Sequence, residues 1–591
     1  MELQFTARLF DELEALYPDS NAAGGAAHYR VAGANGTTAG VHILMTGLTP
    51  GVPVSIEVEG PHTAFRLSEL LPVPVEVNTG AKQRSAYLHD DVNETVLRKA
   101  PFYIYEVLKP IYNVLMPTGV SAAAAFKTLI EYVREYTEEE WKLTVSHAGQ
   151  TQTLSLTVAK YPAVVPKAGR DTHRYVNWIS YANIARMHHV EMDSDAYFTL
   201  LNRYLRAAVY SRQNIMNLSP GMFFSLKKGV VKLDEKRLDR YIETGKRAEI
   251  AYFNGMAFCG RADGQADNDE FYNSLPHDTF TSPDQVAAAF RKVAFDKFDN
   301  GVDVRVSLGG ALVTSPEGQR ILSLQARLLY AYLKKKGLTD CWQQCVMDEP
   351  NDALAPQYRI ASEIVHKEMP GIPTLEPVLP THVLDGAVDI WCPTNETYEN
   401  DREYYDARVA AGDRLYVYTC LTPGGRYMNR MLDMQRLRQT YLGWVPAIYP
   451  NVSGYLHWGF NQYPPFIDPY GRSACMFSEQ EMEFHPKRAL FLPAGDYCII
   501  YPGYEGPCLS TRSEAHRIGL EDLCLLEKLP TEKRAALARR LVRGYADYDL
   551  DIAARSRKSS FAPSNSSKRF PAPGEAHSPG AEPFYEPASR A

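Results

Sequence analysis

From about residue 174 to residue 503 the chain alternates short apolar runs with longer amphipathic stretches, and this alternation limits the possible folds more than any other feature. Strands separated by helix-length segments are expected to lie parallel, because a parallel pair needs a crossover rather than a tight turn. The strand candidates are RYVNWIS, QNIMNL, EIAYFNG, WQQCVMD, AVDIWCP, RLYVYTC, GYLHWGF and YCIIYPG. Eight is the number that a closed (β/α)8 barrel of the TIM type requires. A further run, VDVRVSL at 302–308, is assigned to an insertion, since 284–297 is the one helix-like stretch before it. The helix candidates fit between these strands. DAYFTLLNRYLRAAVYSR puts Phe198, Leu201, Leu205 and Ala208 on one face, and EGQRILSLQARLLYAYLKKKG closes with Lys334, Lys335, Lys336 and Gly337, a favourable charge and cap for a helix C-terminus. MLDMQRLRQTYLGW is a third candidate.

Ahead of this region the pattern is different. Residues 1–165 carry short β-type runs such as VHILMTGL, VSIEVEG and VPVEVNTG between Gly, Pro and Asn clusters, and KLTVSHAGQTQTLSLTV alternates like a hairpin. The expected organisation is an accessory β-sandwich over 1–165, a (β/α)8 catalytic barrel over 172–548 and a disordered tail over 556–591, where Ser, Pro and charge displace the aliphatics.

Charge and cysteine content narrow the function classes. The formal net charge is −7 and no basic block interrupts the folded part, so nucleic acid is not an expected partner. All nine Cys lie between Cys259 and Cys524 without paired CxxC spacing, which indicates neither a disulfide framework nor a zinc ribbon, and reduced thiols are expected. The N-terminal MELQFTARLFDELEALYPDS has no apolar core of signal-peptide type, and no stretch of about 18 apolar residues is long enough to span a bilayer. A cytoplasmic enzyme with no membrane contact is expected, secreted or periplasmic only if a leader is missing; oligomeric state is not readable.

The chemistry concentrates at CVMDEPND, residues 345–352, where Asp348 and Glu349 adjoin at the end of a candidate strand. An isolated DEP is most often a polar turn that caps the next helix, here APQYRIASEIVHKEM. On a barrel, however, this is the C-terminal edge, where active sites are built. Two adjacent carboxylates also shift each other's ionisation, so that one can stay anionic while the other holds a proton. Glu349 is the candidate acid and Asp348 the candidate anion. Neighbouring strand candidates end in Trp391, Tyr418, Trp458 with Asn461, and Tyr501, which together suit the apolar faces and hydroxyl rims of a sugar. His457 is expected to face away from Trp458 by strand alternation. A conventional retaining glycosidase needs a second carboxylate roughly 5 Å across the site. The late strand SGYLHWGFNQYPP has none, and Asp468 follows only in a loop. That absence favours a nucleophile supplied by the substrate, an acetamido oxygen.

These motifs resemble glycoside hydrolase family 123, the β-N-acetylgalactosaminidases and their wider group. The resemblance runs over about 170–530 through MDEP, DIWCP, LYVYTC, RQTYLGW, GYLHWGFNQY, PAGDYCIIYPG and STRSEAHRIGLEDLCLLEKL. It implies that Asp348 holds the acetamido N–H and stabilises an oxazolinium ion, while Glu349 protonates the leaving oxygen and then activates water, with no metal or cofactor needed. It further implies pocket contacts from Trp391, Tyr418, Trp458 and Asn461, with Asp468 and Arg512 as additional candidates, and a glycan partner with a terminal N-acetylhexosamine. The alternatives are a conventional two-carboxylate glycosidase, a hexosaminidase of other sugar specificity, or a non-catalytic carbohydrate-binding protein.

Overall fold

A computed structural model describes residues 5–76, 78–79, 95–262, 303–464, 467–474 and 492–552. The tail expected over 556–591 and the helix-like stretch at 284–297 lie outside the described residues.

The N-terminal part is built of two sheets. One runs in the order β1 (Thr6–Asp11), β3 (Thr38–Thr46), β8 (Ser121–Leu129), β5 (Phe65–Val75), β6 (Phe102–Ile111). The other runs β2 (His28–Asn35), β10 (Gln150–Val164), β9 (Thr137–His147), β4 (Val54–Glu59), β7 (Val114–Leu115). Their inner faces share one apolar core, with Ala7, Ile43 and Phe126 from the first sheet against Ile56, Trp141 and Leu156 from the second. The expected hairpin is β9–β10, closed with His147 opposite Gln150. Its two turn residues, Ala148 and Gly149, have φ of 49° and 77°, the type I′ conformation whose twist matches paired strands.

Among the described residues the second part carries eight parallel strands. Five form the order β11 (Arg174–Asn177), β22 (Val452–His457), β21 (Arg414–Thr419), β20 (Ile390–Pro393), β19 (Leu375–Val378), and three form the order β12 (Ile215–Leu218), β15 (Tyr252–Gly255), β18 (Trp342–Gln344). Two joints connect these sheets. A parallel bridge pairs Gln344 with Thr374, next to β19. Between β11 and β12, side-chain amides take over from the main-chain ladder: Asn214 Oδ1 accepts from Tyr175 N at 3.0 Å, Gln213 Oε1 from Asn177 N at 3.1 Å and Asn217 Oδ1 from Ile179 N at 2.7 Å.

Helices connect the strands, among them α1 (Tyr181–Met187), α2 (Asp195–Tyr210), α3 (Glu235–Arg247), α4 (Pro316–Lys336), α5 (Ala355–Glu368), α6 (Asn395–Asn400), α7 (Arg402–Ala410), α8 (Arg436–Trp444) and α9 (Thr511–Leu526). Phe198, Leu201, Leu205 and Ala208 of α2 are buried together as their spacing predicts. Ser315 caps the start of α4, and Gly337 ends it with φ of 63°. Of the expected helix MLDMQRLRQTYLGW only α8 is helical, and all nine of its residues are buried. It crosses α9 at two glycines: a Cβ on Gly519 would sit 2.0 Å from Thr440 O, so only hydrogen fits there.

Two strand assignments change. TLEPV forms β19, although its internal Glu376 and Pro377 argue against a central strand by the usual rules. YCIIYPG is not a parallel strand: its end forms β23 (Tyr501–Pro502), antiparallel to β24 (Pro507–Ser510), which adds to β6 at the edge of the first N-terminal sheet. VDVRVSL belongs to an insertion as expected, with β17 (Asp303–Val306) antiparallel to β16 (Cys259–Ala262) beyond β15.

The two parts are locked at this edge. Glu106 of β6 is fully buried; its carboxylate accepts from Arg512 Nε at 2.6 Å, from Arg436 Nη2 at 3.2 Å and from Thr511 Oγ1. Breaking a buried ion pair from one side costs about 3–5 kcal/mol, because the partner charge stays in a dry environment. Arg512→Met is therefore expected to lower the midpoint of urea unfolding of the whole chain with little change in substrate KM; an unchanged midpoint and a raised KM would reverse that assignment.

Candidate active site

Strand β18 ends at Gln344, and the chain continues through Cys345, Val346 and Met347 to the carboxylate pair. Those three residues do not ladder with β19. The side chain of Glu376, fully buried on β19, takes their donors instead: Oε1 accepts from Val346 N and, at 3.3 Å, from Met347 N, while Oε2 accepts from Cys345 Sγ at 3.2 Å. Burial holds the Glu376 carboxyl well above the usual range, against the lowering effect of those hydrogen bonds. A buried carboxyl whose ionisation burial disfavours thus lies beneath the strand end that carries Asp348 and Glu349.

Glu349 is held firmly. Its N–H donates to Pro377 O at 3.0 Å, and its φ of 50° is a left-handed conformation that a non-glycine residue adopts only at a cost. Its carboxylate Oε1 accepts from the Tyr418 hydroxyl at 2.7 Å and Oε2 from Arg261 Nη2 at 3.2 Å. Tyr418 comes from β21 and Arg261 from β16, so three separate crossovers converge on one side chain. The Glu349 side chain is 28% exposed and Arg261 13% exposed, a pair at the rim of dry surroundings.

Asp348 is exposed to solvent at the strand end, yet protein atoms crowd its carboxyl. Desolvation first, and the Glu349 charge second, push its carboxyl up to about 7, with Arg261 acting in the opposite sense. The thiols of Cys345 on its own strand end and Cys392 on β20 both feel the Asp348 charge and are raised well above their usual range by burial. Near neutral pH Asp348 is therefore poised between its two ionisation states beside a second carboxyl, which is the arrangement that acid–base chemistry needs.

Trp458, just past β22, is half-buried, and its indole Nε1 donates to Asp496 Oδ2 at 3.2 Å. His457 does not face away from it as strand alternation predicts. Its Nδ1 accepts from Gly459 N at 2.9 Å, which leaves the proton on Nε2, 3.4 Å from Asp496 Oδ1. Alternation fails because the strand stops at His457. Gly459 allows the Asp496 segment to approach, since a Cβ there would lie 2.1 Å from Asp496 O. Asp496 is fully buried, and desolvation pushes its carboxyl up to about 7. The Cys420 thiol feels both Asp496 and Glu349, so the Trp458 cluster adjoins the pair across the end of β21.

Three expected contacts are structural. Trp391 is 0% exposed, its Nε1 donates to Asp413 Oδ2 at 2.9 Å and its ring packs edge-on against Tyr404 and Tyr405, on the side of β20 that α7 covers. Asn461, also fully buried, exchanges bonds with Ser180: Oδ1 accepts from Ser180 N at 2.7 Å and Nδ2 donates to Ser180 O at 3.0 Å, tying the ends of β11 and β22 together. Arg512 spends its guanidinium on Glu106 and on the carbonyls of Arg430, Gly495 and Cys498. Asp468 is exposed and stabilises its own turn by accepting from Tyr470 N at 3.0 Å. Arg261, Glu376 and Asp496 escape the sequence reading. Only Asp496 has a local signal, inside PAGDYCIIYPG, where a strand assignment conceals it.

Among the described residues, His62, Glu131 and Glu139 lie close enough to hold a metal ion, but on the N-terminal sheets. His62 Nδ1 accepts from Ala64 N at 3.2 Å, so the nitrogen facing Glu139 carries a proton, and Lys160 already neutralises Glu139. That donor set does not fit a metal.

The family model described as glycoside hydrolase 123, catalytic domain, matches residues 178–529. Among curated proteins none matches the chain. The solved structure of a family 123 glycoside hydrolase from Clostridium perfringens superposes with a TM-score of 0.65 at 12% identity, covering 91% of either chain. A family 5 mannosidase from Rhizomucor miehei (TM-score 0.32, 10% identity, 61% of this chain and 96% of that one) and a β-glucuronidase from Parabacteroides merdae (0.25, 11%, 72% and 45%) are too distant in shape to bear on the fold.

The buried Glu376 carboxyl generates a pH test. Its folded-state pKa lies above that of an unfolded glutamate, about 4.3, so stability is full below that value and falls as pH rises towards the folded value. Glu376→Gln, which can still accept from Val346 N, is expected to gain stability over the native chain by about 1.4 kcal/mol per pH unit in that window. Urea unfolding at pH 5 and at pH 8 measures it; a difference between variant and native chain that does not grow with pH would mean that Glu376 is ionised in the fold.

Proposed function

The chain belongs to glycoside hydrolase family 123, and on that premise we propose that it removes terminal β-linked N-acetylgalactosamine from glycans, with retained configuration, through an oxazolinium intermediate. The observation that carries this reading is the Asp348–Glu349 pair beyond β18, with Glu349 gripped by Tyr418. Family membership makes it a glycosidase; the sugar and the mechanism are proposals. The two joints between the parallel sheets support reading the eight strands as one (β/α)8 barrel whose C-terminal edge carries the pair.

In the first step a Glu349 oxygen gives its proton to the glycosidic oxygen as the bond from C1 to that oxygen breaks, and the substrate's acetamido oxygen bonds to C1 from the opposite face. Asp348 accepts the acetamido N–H and offsets the positive charge of the oxazolinium. In the second step the Glu349 carboxylate takes a proton from water, whose oxygen attacks C1 and reopens the ring. Two inversions restore the configuration. The half-buried Trp458, braced by Asp496, suits an apolar sugar face.

A two-carboxylate mechanism has Asp496 as its candidate nucleophile among the described residues near the pair, but that carboxylate is 0% exposed and engaged by Trp458. This favours the substrate's own acetamido group.

Paired aryl β-glycosides of GalNAc, GlcNAc and galactose test the reading. Turnover of the GalNAc glycoside with inhibition by a thiazoline mimic of the intermediate is expected; cleavage of the plain galactoside would indicate a separate nucleophile. Glu349→Gln should lose about 10²–10⁴-fold on poor leaving groups and much less on activated ones, since only the former need a proton. Asp348→Asn should raise the barrier by about 3–4 kcal/mol for both.

A further inference from the structure

We propose that Arg261, on the β16–β17 insertion, is a positioning residue that holds Glu349 as the anionic member of the pair in the unliganded enzyme, so that their shared proton rests on Asp348. This rests on the functional reading above only in its kinetic consequence.

The geometry is asymmetric. Both Glu349 oxygens are occupied by donors, the Tyr418 hydroxyl on Oε1 and the Arg261 guanidinium on Oε2. A proton on Oε2 would point at a guanidinium that can only donate, whereas the carboxylate accepts from both partners at once. The left-handed backbone and the bond from Glu349 N to Pro377 O keep the side chain from turning away from them. What acts on Asp348 is different: desolvation and the neighbouring Glu349 charge both disfavour its anion, and Arg261 acts through space in the opposite sense. Cys420, next to Glu349, is a partly exposed thiol whose ionisation desolvation disfavours.

The consequence concerns the order of events. Glu349 in this resting state lacks the proton that the acid step consumes. A ligand that donates an N–H to Asp348 favours the Asp348 anion, and the proton then passes from an Asp348 oxygen to a Glu349 oxygen with the total charge of the pair unchanged at minus one. Arg261 thereby sets the pH at which the pair loses its proton. It lies on an insertion, not on the parallel strands, so this setting can be altered without rebuilding the sheet.

The test uses the full chain with ¹³C-carboxyl-labelled aspartate, the Asp348 signal being assigned by its loss in Asp348→Asn. In the native enzyme the Asp348 carboxyl is expected to titrate near neutral pH, and in Arg261→Met about 1 pH unit higher. Arg261→Lys, which retains the charge, should stay close to the native value. The basic limb of kcat/KM on an aryl β-GalNAc glycoside should move by the same amount in the same direction. An Asp348 carboxyl already ionised well below neutral pH, or a titration that Arg261→Met leaves in place while turnover falls, would overturn the inference and leave Arg261 a purely structural role. Titrations that behave as expected in an enzyme inert towards every 2-acetamido glycoside would instead retain the inference and remove the functional reading.

Discussion

One buried carboxylate, Glu106, holds the molecule in its working shape. It lies on the last strand of the first N-terminal sheet and is met there by Arg512 and Arg436, from two helices of the second part that are in mutual contact at Gly519. Dehydrating three charges is expensive, and the arrangement is tolerable only because each donor is matched: Arg512 also donates to the carbonyls of Arg430, Gly495 and Cys498. Two of those carbonyls, Gly495 and Cys498, belong to the segment that carries Asp496. The clasp therefore reaches, through one guanidinium, from the N-terminal sheet to the residue that braces Trp458.

A second buried network acts in parallel. Lys127 of β8 pairs with Glu12 and, at 3.1 Å, with Glu514 of α9, whose carboxyl is drawn down to about 2 by Lys127 and Arg517 against the cost of burial. The N-terminal part is thus bound to α9 by charge at two points along one helix. Charged interfaces of this kind impose register, since a one-residue slip would leave a buried ion without its partner.

The site itself depends on substitution of side chains for main chain. Glu376 takes donors that a neighbouring strand would otherwise take, which lets residues 345–347 leave the ladder and present two carboxylates side by side. The amides of Gln213, Asn214 and Asn217 do the same between β11 and β12, and Asn461 does it between the ends of β11 and β22. Polar residues that look like ligand contacts in the sequence are, in these places, the mortar of the sheet. Asn461 and Arg512 were legible as unusual but not as structural, because a buried polar side chain and a sugar-binding one have the same composition. Trp391 sits one residue into a strand and faces the helices, a side that strand-end position alone does not reveal.

By itself the sequence determined the parallel strand pattern, the N-terminal sheets with their hairpin, and the local adjacency of Asp348 and Glu349. All of these follow from short-range periodicity or from neighbours in the chain. It also pointed to Tyr418, which lies at the end of its strand and reaches Glu349. Only the tertiary structure decided that TLEPV is a strand and that the Tyr501 segment joins the N-terminal sheet. It alone decided, too, that Arg261 meets Glu349 across 88 residues of chain and that Glu376 lies under the pair. The physical reason is the same in each case: a charge or a proline that looks misplaced locally is stabilised by a partner distant in sequence, and burial, which sets its ionisation, is a property of the assembled fold.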